Sequence, residues 1–390
     1  MKFKISSKEL RNVIAGIEKA VTKKAILEIF ETVQFRREGK GNIVFEAQNM
    51  NGDAFGVLRL LNTEVCDFES SDNKESFNLD LKDLKEIVKI KTDDFIVSEV
   101  SDNKVLFDAE KKKVVVNKKT NNSFVKPDLE DMELICTTTC KDLLDSFTRL
   151  SKVLDKDNNR ETFRCYHLCN NFIESLDEYQ IMRKATNEKE TCFYHDNTDL
   201  LINGKDFEIL KNVLIQNKDN KLHISINHKY YCISCEAFSY IGQRVEGKPF
   251  NTDKFFEGTG FDKNVVVDTA DFLEIVKYNV KINRNSKEDK PKPTILGVKG
   301  NQLFSYHSIF NLESFDVIET KENNVEDGFY IAVNPDYLQK VFSVLAEDKT
   351  EMTFLNNKAP VRVESGDITS LILSVYYSFD FNSINKFFED

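Results

Sequence analysis

Residues 2–17 have the sequence KFKISSKELRNVIAGI, which contains the unit from which the whole chain is built. A short alternating strand ends at a pair of serines, and apolar residues then recur at helical spacing from Leu10 to Ile17. Serine is a preferred N-cap, because its hydroxyl accepts a hydrogen bond from a free N–H group of the first helical turn. The stretch therefore predicts a strand that passes directly into an amphipathic helix.

The same strand, cap and helix pattern occurs six times along the chain. The six copies begin at Phe3, Phe77, Ile135, Leu201, Val266 and Phe329. The first, third and fifth copies are about 130 residues apart, and so are the second, fourth and sixth. Such regularity is typical of an internal repeat. The repeat predicts three tandem domains, each made of two similar halves, with boundaries at 1–125, 126–254 and 255–390.

Each predicted helix begins at a polar cap and is followed by short strands. We predict helices at Leu81–Ile90 and Lys205–Leu214, a first helix that extends to Val21, and a sixth that runs from Asn334-Pro335 to Leu345. The strands after the second, fourth and sixth helices are predicted at Phe95–Val100, Val105–Asp108, Val114–Val116, Leu222–Ile226, Tyr231–Ala237, Ile241–Val245, Met352–Leu355, Val361–Val363 and Ser370–Tyr377. Each half is then a β-α-β-β-β unit, and the fold class is α+β with antiparallel pairing.

Polar segments lie where the repeat predicts boundaries. Asn117–Asp131 and Gly247–Asn264 are predicted linkers, and Lys281–Lys292 is predicted to be a solvated loop. No apolar run approaches the length of a membrane span, and the N-terminus opens directly into the alternating pattern. These features predict a cytoplasmic protein with no membrane partner.

Eight cysteines include three pairs whose spacing is typical of metal ligands. The pairs are Cys136/Cys140, Cys165/Cys169 and Cys232/Cys235. All three lie in or beside predicted strands, with no glycine or proline to turn the chain between the two thiols. We interpret them as buried free thiols in a reducing compartment; zinc ligation and disulfides are the alternatives. We predict no cofactor and no metal.

Basic residues recur on the polar sides of the predicted helices, although the net charge is −11. The residues concerned are Lys8, Arg11, Lys19, Lys23, Lys82, Lys85, Lys89, Lys141, Arg149, Lys152, Lys277 and Lys281. Lysine-rich helix faces are often only solvated surface. The internal repeat favours a functional interpretation, because equivalent helices that face the same way would present a basic lining to phosphates without reading sequence.

These features together resemble the bacterial DNA sliding clamps, the β subunit of the replicative DNA polymerase III holoenzyme. The opening MKFKIS is similar to the family's first residues, and Ala25–Phe30 followed by Val33-Gln34-Phe35 is similar to its first long strand. Arg164–Phe172 with Glu178–Ala185 resembles a hairpin of its second domain. The stretch Arg244–Phe250 resembles its interdomain linker, with proline and phenylalanine in reversed order.

The resemblance implies a non-catalytic processivity factor. Two chains would join head to tail as a homodimer ring around double-stranded DNA, with helices inside and sheets outside. Its partners would be a replicative DNA polymerase and a clamp loader ATPase. The basic residues above would contact DNA, joined by Lys24, which falls at the end of the first helix, where the family carries a basic contact residue. The dimer interface would pair Val114 and Val116 with the region of Val280 and Ile282 of a second chain.

The resemblance also implies a pocket for partner peptides, and the sequence departs from the family there. The predicted lining residues are Thr186, Phe250, Phe255, Pro360, Val375, Tyr376 and Tyr377. Ala185–Glu190 lacks the glycine and leucine of the family's stretch, so a different peptide specificity is expected. Ile384, Phe387 and Phe388 form an I-x-x-F-F spacing in the tail Phe379–Asp390, which either docks in this pocket or packs on the sheet.

No catalytic constellation is evident in the sequence. There is no phosphate-binding G-x-x-x-x-G-K-[ST] motif, and the five histidines are scattered. Two alternatives to a clamp remain open: a clamp-derived protein–protein scaffold that no longer encircles DNA, and a hydrolase or nuclease on a duplicated α+β fold.

Overall fold

A computed structural model describes residues 1–39, 42–51, 54–62, 76–119, 124, 126–195, 199–257, 260–286, 291–310, 312–380, 384 and 386–388. Residues 120–123 and 125 of the predicted first linker, 258–259 of the second and 287–290 of the predicted loop lie outside these ranges, as do 381–383, 385 and 389–390 of the tail. The chain forms two compact units, Met1–Asp145 with Asn187–Glu246, and Ser146–Thr186 with Gly247–Asp390.

The helices follow the predicted order, with one additional short helix. They are α1 (Ser7–Ile17), α2 (Leu81–Ile87), α3 (Cys140–Leu150), α4 (Gly204–Gln216), α5 (Asp253–Phe256), α6 (Thr269–Asn285) and α7 (Pro335–Phe342). None in the described residues is long and apolar enough to cross a membrane.

The strands are short and pair antiparallel within each unit. They are β1 (Lys2–Ser6), β2 (Thr32–Glu38), β3 (Asn42–Asn51), β4 (Ala54–Asn62), β5 (Ser76–Asp80), β6 (Asp94–Ser101), β7 (Lys104–Ala109), β8 (Lys112–Asn117), β9 (Glu133–Thr139), β10 (Cys165–Cys169), β11 (Phe172–Leu176), β12 (Gln180–Ala185), β13 (Cys192–Phe193), β14 (Asp199–Asn203), β15 (Lys221–Ile226), β16 (Tyr230–Ser234), β17 (Phe238–Gln243), β18 (Lys263–Asp268), β19 (Thr294–Lys299), β20 (Gln302–Ile309), β21 (Leu312–Glu319), β22 (Glu322–Asn323), β23 (Tyr330–Val333), β24 (Lys349–Phe354), β25 (Val361–Ser365) and β26 (Ile368–Ile372).

Each unit contains one long sheet and one four-stranded sheet. In the first unit the orders are β13-β9-β15-β16-β17-β4-β3-β2-β5 and β1-β6-β7-β8. In the second unit they are β10-β11-β12-β26-β25-β24-β18-β22 and β21-β20-β19-β23. This mixture of helices and antiparallel sheets confirms the predicted α+β class.

All six predicted strand-to-helix junctions are present. The side chains of Ser6, Asp80, Asn203, Asp268 and Asn334 accept hydrogen bonds from backbone N–H groups of the first turns of α1, α2, α4, α6 and α7. At α3 the Thr139 hydroxyl accepts from the Asp142 N–H at 3.1 Å. The caps satisfy backbone donors that would otherwise be unpaired, which explains why helix starts could be located from sequence.

Helix and strand ends differ from the predictions. Helix α1 ends at Ile17 rather than Val21, α2 at Ile87 rather than Ile90, and α7 at Phe342 rather than Leu345. The apolar side chains that follow these ends are partly or fully buried without being helical, so hydrophobic spacing alone overestimates helix length. Conversely, α6 continues to Asn285, so the first part of the predicted loop Lys281–Lys292 is helical. Strand β26 ends at Ile372, five residues before the predicted limit Tyr377.

The long sheets continue across the predicted domain boundaries. Strand β17 pairs with β4 in the first unit, with Gly242 opposite Gly56. Strand β12 pairs with β26 in the second unit, with Met182 opposite Ser370. Each compact unit therefore combines strands from two predicted domains, and the boundaries 1–125, 126–254 and 255–390 stay predictions.

A buried carboxylate supports the junction of β17 with β4. Asp206 on α4 accepts hydrogen bonds from the Tyr231 and Tyr240 hydroxyls, the latter at 2.6 Å. The two glycines make this possible, because a Cβ at Gly242 would overlap the Tyr231 ring and one at Gly56 would overlap the Tyr240 hydroxyl. Burial raises the pKa of Asp206 from 3.8 to about 6, against the lowering effect of both tyrosine hydroxyls.

The raised pKa of Asp206 predicts a pH-dependent stability. A group whose pKa is higher in the folded than in the unfolded state stabilises the fold fully at pH values below its unfolded-state pKa. This contribution is lost as the pH rises through its folded-state pKa. Between about pH 5 and pH 7.5, the wild type should lose roughly 1–1.5 kcal/mol relative to Asp206→Asn. Urea unfolding of both proteins at the two pH values measures this difference.

The exposed Asp219, in the turn that follows α4, provides the control. Asp219→Asn is measured in parallel at both pH values as the reference for removing an exposed carboxylate. A difference between wild type and Asp206→Asn that is the same at both pH values would contradict the assignment.

Candidate nucleic-acid surface and peptide-binding cavity

The predicted basic residues lie mostly at the surface of their own units. Eleven are exposed: Lys8, Arg11, Lys19, Lys23, Lys24, Lys82, Lys89, Lys141, Lys152, Lys277 and Lys281. Lys85 and Arg149 are half-buried. Exposed ammonium and guanidinium groups are available to phosphates, because no desolvation cost opposes their contact with a solvated ligand.

Several of these residues follow a helix rather than lie in it. Lys19, Lys23 and Lys24 come after α1, Lys89 comes after α2 and Lys152 comes after α3. Lys24 has a left-handed backbone conformation, with φ of 56°. The predicted placement of Lys24 at the end of the first helix is therefore wrong, and the basic residues extend into the turns beyond the helices.

Four of the predicted DNA contacts have partners within the chain, and one of these pairs is local, since Lys89 pairs with Glu86 at 2.5 Å. The Arg11 guanidinium donates to the carbonyls of Val88 and Ile90, at 2.9 and 3.5 Å. These carbonyls follow the last turn of α2, where an arginine satisfies acceptors that the helix leaves free. Lys85 pairs with Glu18 at 2.6 Å, and Arg149 pairs with Asp367 at 2.8 Å.

The partners of Arg11, Lys85 and Arg149 arise from tertiary contacts that no spacing in the sequence reveals. Arg11 and Val88 are separated by 77 positions, and Arg149 and Asp367 by 218. Arg11, Lys85 and Arg149 consequently have structural roles in addition to any contact with a ligand. The exposed lysines of α6, Lys277 and Lys281, are the better candidates for a phosphate-facing surface.

An open apolar cavity of about 390 Å³ lies in the second unit. Its wall combines the β11–β12 turn, the segment before α5 and strand β26. The lining residues are Arg160, Phe163, Leu176, Asp177, Glu178, Tyr179, Gln180, Ile181, Phe250, Phe255, Pro360, Leu371 and Leu373. Such a mixture of aromatic and aliphatic walls with a few charged groups is typical of a binding site for a peptide or small molecule.

Aromatic stacking and a polar turn give the cavity its shape. The Phe250 and Phe255 rings stack with centroids 6.0 Å apart, and Phe163 lies 6.4 Å from Phe250. On the opposite side Asp177 accepts hydrogen bonds from the backbone N–H groups of Tyr179 and Gln180. The β11–β12 turn is thereby fixed, while Phe250, Phe255 and Leu373 remain partly exposed to an incoming apolar group.

The cavity includes three of the seven residues predicted for the partner pocket. Phe250, Phe255 and Pro360 line it, whereas Thr186, Val375, Tyr376 and Tyr377 do not. For Val375, Tyr376 and Tyr377 the backbone explains this, because Ser374 bridges to Val333 and the Val375 N–H donates to Ala332. The sequence analysis missed Arg160, Phe163, Tyr179 and Leu373, since their proximity depends on the pairing of β12 with β26.

The predicted dimer residues differ in their accessibility. Within the described residues, β8 is the last strand of its sheet, so its outer edge is unpaired, and Val115 at its centre is 53% exposed. Val114 is half-buried and Val116 is buried. Val280 and Ile282 on α6 are only 2% and 5% exposed. Their side chains belong to the core of their own unit, and a contact between this region and a second chain stays a prediction.

The described part of the tail packs on the sheet of the second unit. The Phe387 ring stacks on Phe315 at 4.8 Å, Phe388 contacts Phe304 edge-on at 5.8 Å, and Ile384 is fully buried. Lys386 pairs with Glu313 at 2.5 Å. None of the described tail residues lines the cavity. The structure therefore places the I-x-x-F-F spacing on β20 and β21.

The cysteines are free thiols where the structure describes them. Cys136, Cys140 and Cys165 are buried, Cys169, Cys232 and Cys235 are half-buried, and Cys192 is exposed. The predicted spacing pairs are not the spatial pairs, because Cys140 forms a hydrogen bond with Cys235. That bond lowers the pKa of Cys235 to about 6 and raises that of Cys140.

Solved structures share this fold along almost the entire chain. The β chain of DNA polymerase III from Streptococcus pneumoniae aligns with a TM-score of 0.83 at 16% identity, over 96% of this chain and 100% of its own. The β subunit from Thermotoga maritima gives 0.80 at 15% identity, over 97% and 100%. A Pseudomonas aeruginosa sliding clamp solved with griselimycin gives 0.83 at 15%, over 97% and 100%.

No protein-family model and no curated protein sequence matches the chain. The likeness lies in the three-dimensional structure, at identities too low to carry more than the fold. The chain therefore has the fold of the DNA polymerase III β-subunit sliding clamps. The resemblance inferred from the sequence is confirmed at that level.

The contacts of Arg11 predict that it stabilises the first unit while its neighbour Lys8 does not. Arg11→Ala removes two charge-assisted bonds to the end of α2 and should lower the free energy of unfolding by about 1 kcal/mol. Lys8→Ala, on the exposed side of the same helix, should change it by less than about 0.5 kcal/mol. Urea denaturation measures both, and equal losses in the two variants would contradict the capping role.

Proposed function

We propose that the chain is the protomer of a DNA sliding clamp. It would be a non-catalytic processivity factor that encircles double-stranded DNA without sequence specificity and tethers a replicative DNA polymerase. A clamp loader ATPase would be a separate partner. The observation that carries the proposal is the likeness to clamp structures over 97% of this chain and 100% of theirs, which leaves no large part of the fold unaccounted for.

The exposed lysines support duplex DNA as the ligand. Lys8, Lys82, Lys277 and Lys281 project from three different helices, and further lysines follow the helix ends. Ammonium groups contact phosphates as point charges and read no base, so several weak contacts permit sliding. A net charge of −11 disfavours general adhesion to nucleic acid, so retention would come from topology rather than from affinity.

Two complementary sheet edges support a head-to-tail homodimer. The β8 edge carries Lys112 and Lys113 before its valines. Strand β21 is the last strand of its own sheet within the described residues and carries acidic side chains at Asp316, Glu319 and Glu313, the last of which also pairs with Lys386. Antiparallel pairing of β8 with β21 of a second chain would satisfy both edges. Val280 and Ile282 would then support β21 from beneath, since α6 packs on that strand.

The apolar cavity supports a docking role for polymerase and other partners. A short peptide with an aromatic or long aliphatic side chain would fill the space between Phe250 and Leu373. Arg160 and Asp177 at its wall could bond the backbone or charged side chains of the peptide. The altered stretch Ala185–Glu190 lies outside the lining, so a changed specificity would come from the residues of the wall itself.

A protein–protein scaffold that no longer encircles DNA is the second candidate. Two observations favour it: the acidic balance of −11, and the engagement of Arg11, Lys85 and Arg149 by partners within the chain. Both candidates predict a dimer and a peptide site. They differ only in whether a closed duplex is retained.

Retention on circular DNA tests the proposal. Purified chain is incubated with nicked circular duplex, clamp loader and ATP, and the complexes are separated from free protein by gel filtration at moderate salt. We expect retention on the circle and release after linearisation, because a topological link is lost at free ends. The double variant Lys277→Ala/Lys281→Ala should shorten the retention. The matched control is the double variant Lys221→Ala/Lys229→Ala, which replaces two exposed lysines on a strand and in a turn.

Light scattering of the free protein accompanies this test. A mass near twice 45.1 kDa together with retention supports the clamp. That dimer mass with no retention favours the scaffold. Hydrolytic activity on DNA that persists through purification would overturn both candidates.

A further inference from the structure

Three metal-binding side chains converge on the β10–β11 hairpin of the second unit. His167 lies directly opposite Glu174 in the strand pairing, and its Nδ1 is 2.9 Å from Glu174 Oε1. The Cys169 Sγ lies 3.2 Å from His167 Nε2 and 3.4 Å from Nδ1. One ligand atom from each residue falls within 4.8 Å of the other two.

Their alternation along the strand explains this convergence. His167 and Cys169 are two positions apart, so both side chains point to the same face of β10, while Tyr166 and Leu168 point to the core. Glu174 faces them from the neighbouring strand. The predicted ligand spacing of Cys165 with Cys169 has no such geometry, since Cys165 is fully buried at the far end of the strand.

We propose that His167, Cys169 and Glu174 form a binding site for Zn²⁺ or a similar borderline divalent ion. Thiolate, imidazole and carboxylate are the ligand set that zinc takes in proteins. Tetrahedral coordination would place these ligand atoms about 3.4–3.6 Å apart, so the distances from His167 to Glu174 and to Cys169 need only a small widening. A water or a group from a partner would take the fourth position.

The surroundings of Glu174 are those of an oriented metal ligand. This side chain is fully buried, accepts from Arg183 Nε at 2.8 Å and from the Thr252 hydroxyl at 2.8–2.9 Å. Arg183 also donates to Asp253 at 2.6 Å. Hydrogen bonds of this kind fix the direction of a ligating carboxylate and are part of most metal sites.

The charges of the site would balance on metal binding. A dication with one thiolate, one carboxylate and a neutral imidazole has no net charge, and Arg183 and Asp253 compensate each other. A buried ion pair is tolerated only when its charges are compensated and hydrogen-bonded. Through Thr252, the metal would also tie the hairpin to the segment that begins α5.

Metal binding to the full-length protein tests the site. Metal-free protein is prepared by dialysis against a chelator and titrated with Zn²⁺ in competition with a chromophoric chelator, and separately with Co²⁺. We expect one high-affinity equivalent, and a thiolate-to-cobalt charge-transfer band in the near ultraviolet. Affinity should fall as pH is lowered, because the Cys169 thiol must lose its proton to bind.

Two cysteine variants separate this site from adventitious binding. Cys169→Ser should abolish the cobalt band and weaken Zn²⁺ binding at least about tenfold. Cys192→Ser, at an exposed thiol in the other unit, should leave both unchanged. Zn²⁺ should raise the unfolding temperature of wild type and Cys192→Ser but not of Cys169→Ser.

Far-ultraviolet circular dichroism establishes that each variant is folded before titration. His167→Gln is a second variant that removes a ligand with little change in volume, and it should lose the same equivalent. Absence of the cobalt band from the wild type, or its persistence in folded Cys169→Ser, would overturn the proposal.

Discussion

The pairing of β17 with β4 is the constraint on which the first unit depends. It joins strands of two sequence repeats into one sheet, and the sheet can only close because Gly56 and Gly242 leave room for two tyrosine rings. The Asp206 carboxylate then accepts a hydrogen bond from each of the two tyrosine hydroxyls. A buried carboxylate is costly unless it is fully hydrogen-bonded, so this network specifies one arrangement of α4 against the sheet.

Fixing α4 has consequences for the helices that carry the basic residues. Asn212 and Gln216 on α4 donate to the carbonyls of Ala15 and Asn12 on α1. Gly16 permits this close approach, since a Cβ there would contact Val213 at 3.1 Å. The position of α1, and with it the direction of Lys8, therefore follows from the sheet junction. The packing of buried residues therefore determines where the charged side chains of α1 lie on the surface.

Local signals in the sequence predicted more of the fold than of the sites. The six caps could be located because each acts within a few residues of its own helix, as Ser6 and Asn334 do. The cavity could not, since Phe163 and Leu373 meet only when β12 pairs with β26. Arg11 was assigned to DNA alone because its partners lie 77 and 79 positions away. Val280 was assigned to an interface from the family resemblance alone, and its side chain lies in the core of its own unit.

The charge of the two unpaired edges bears on how copies of the chain would associate. Two β21 edges brought together would carry acidic side chains on both strands, whereas a β8 edge brings Lys112 and Lys113 to the acidic side chains of β21. Like charges across a strand pair are unfavourable, whereas opposite charges stabilise it. The heterologous pair is therefore the favoured one. Heterologous contacts either close into rings or grow as open filaments. Closure of two chains leaves neither edge exposed, which removes the aggregation hazard that each edge presents alone.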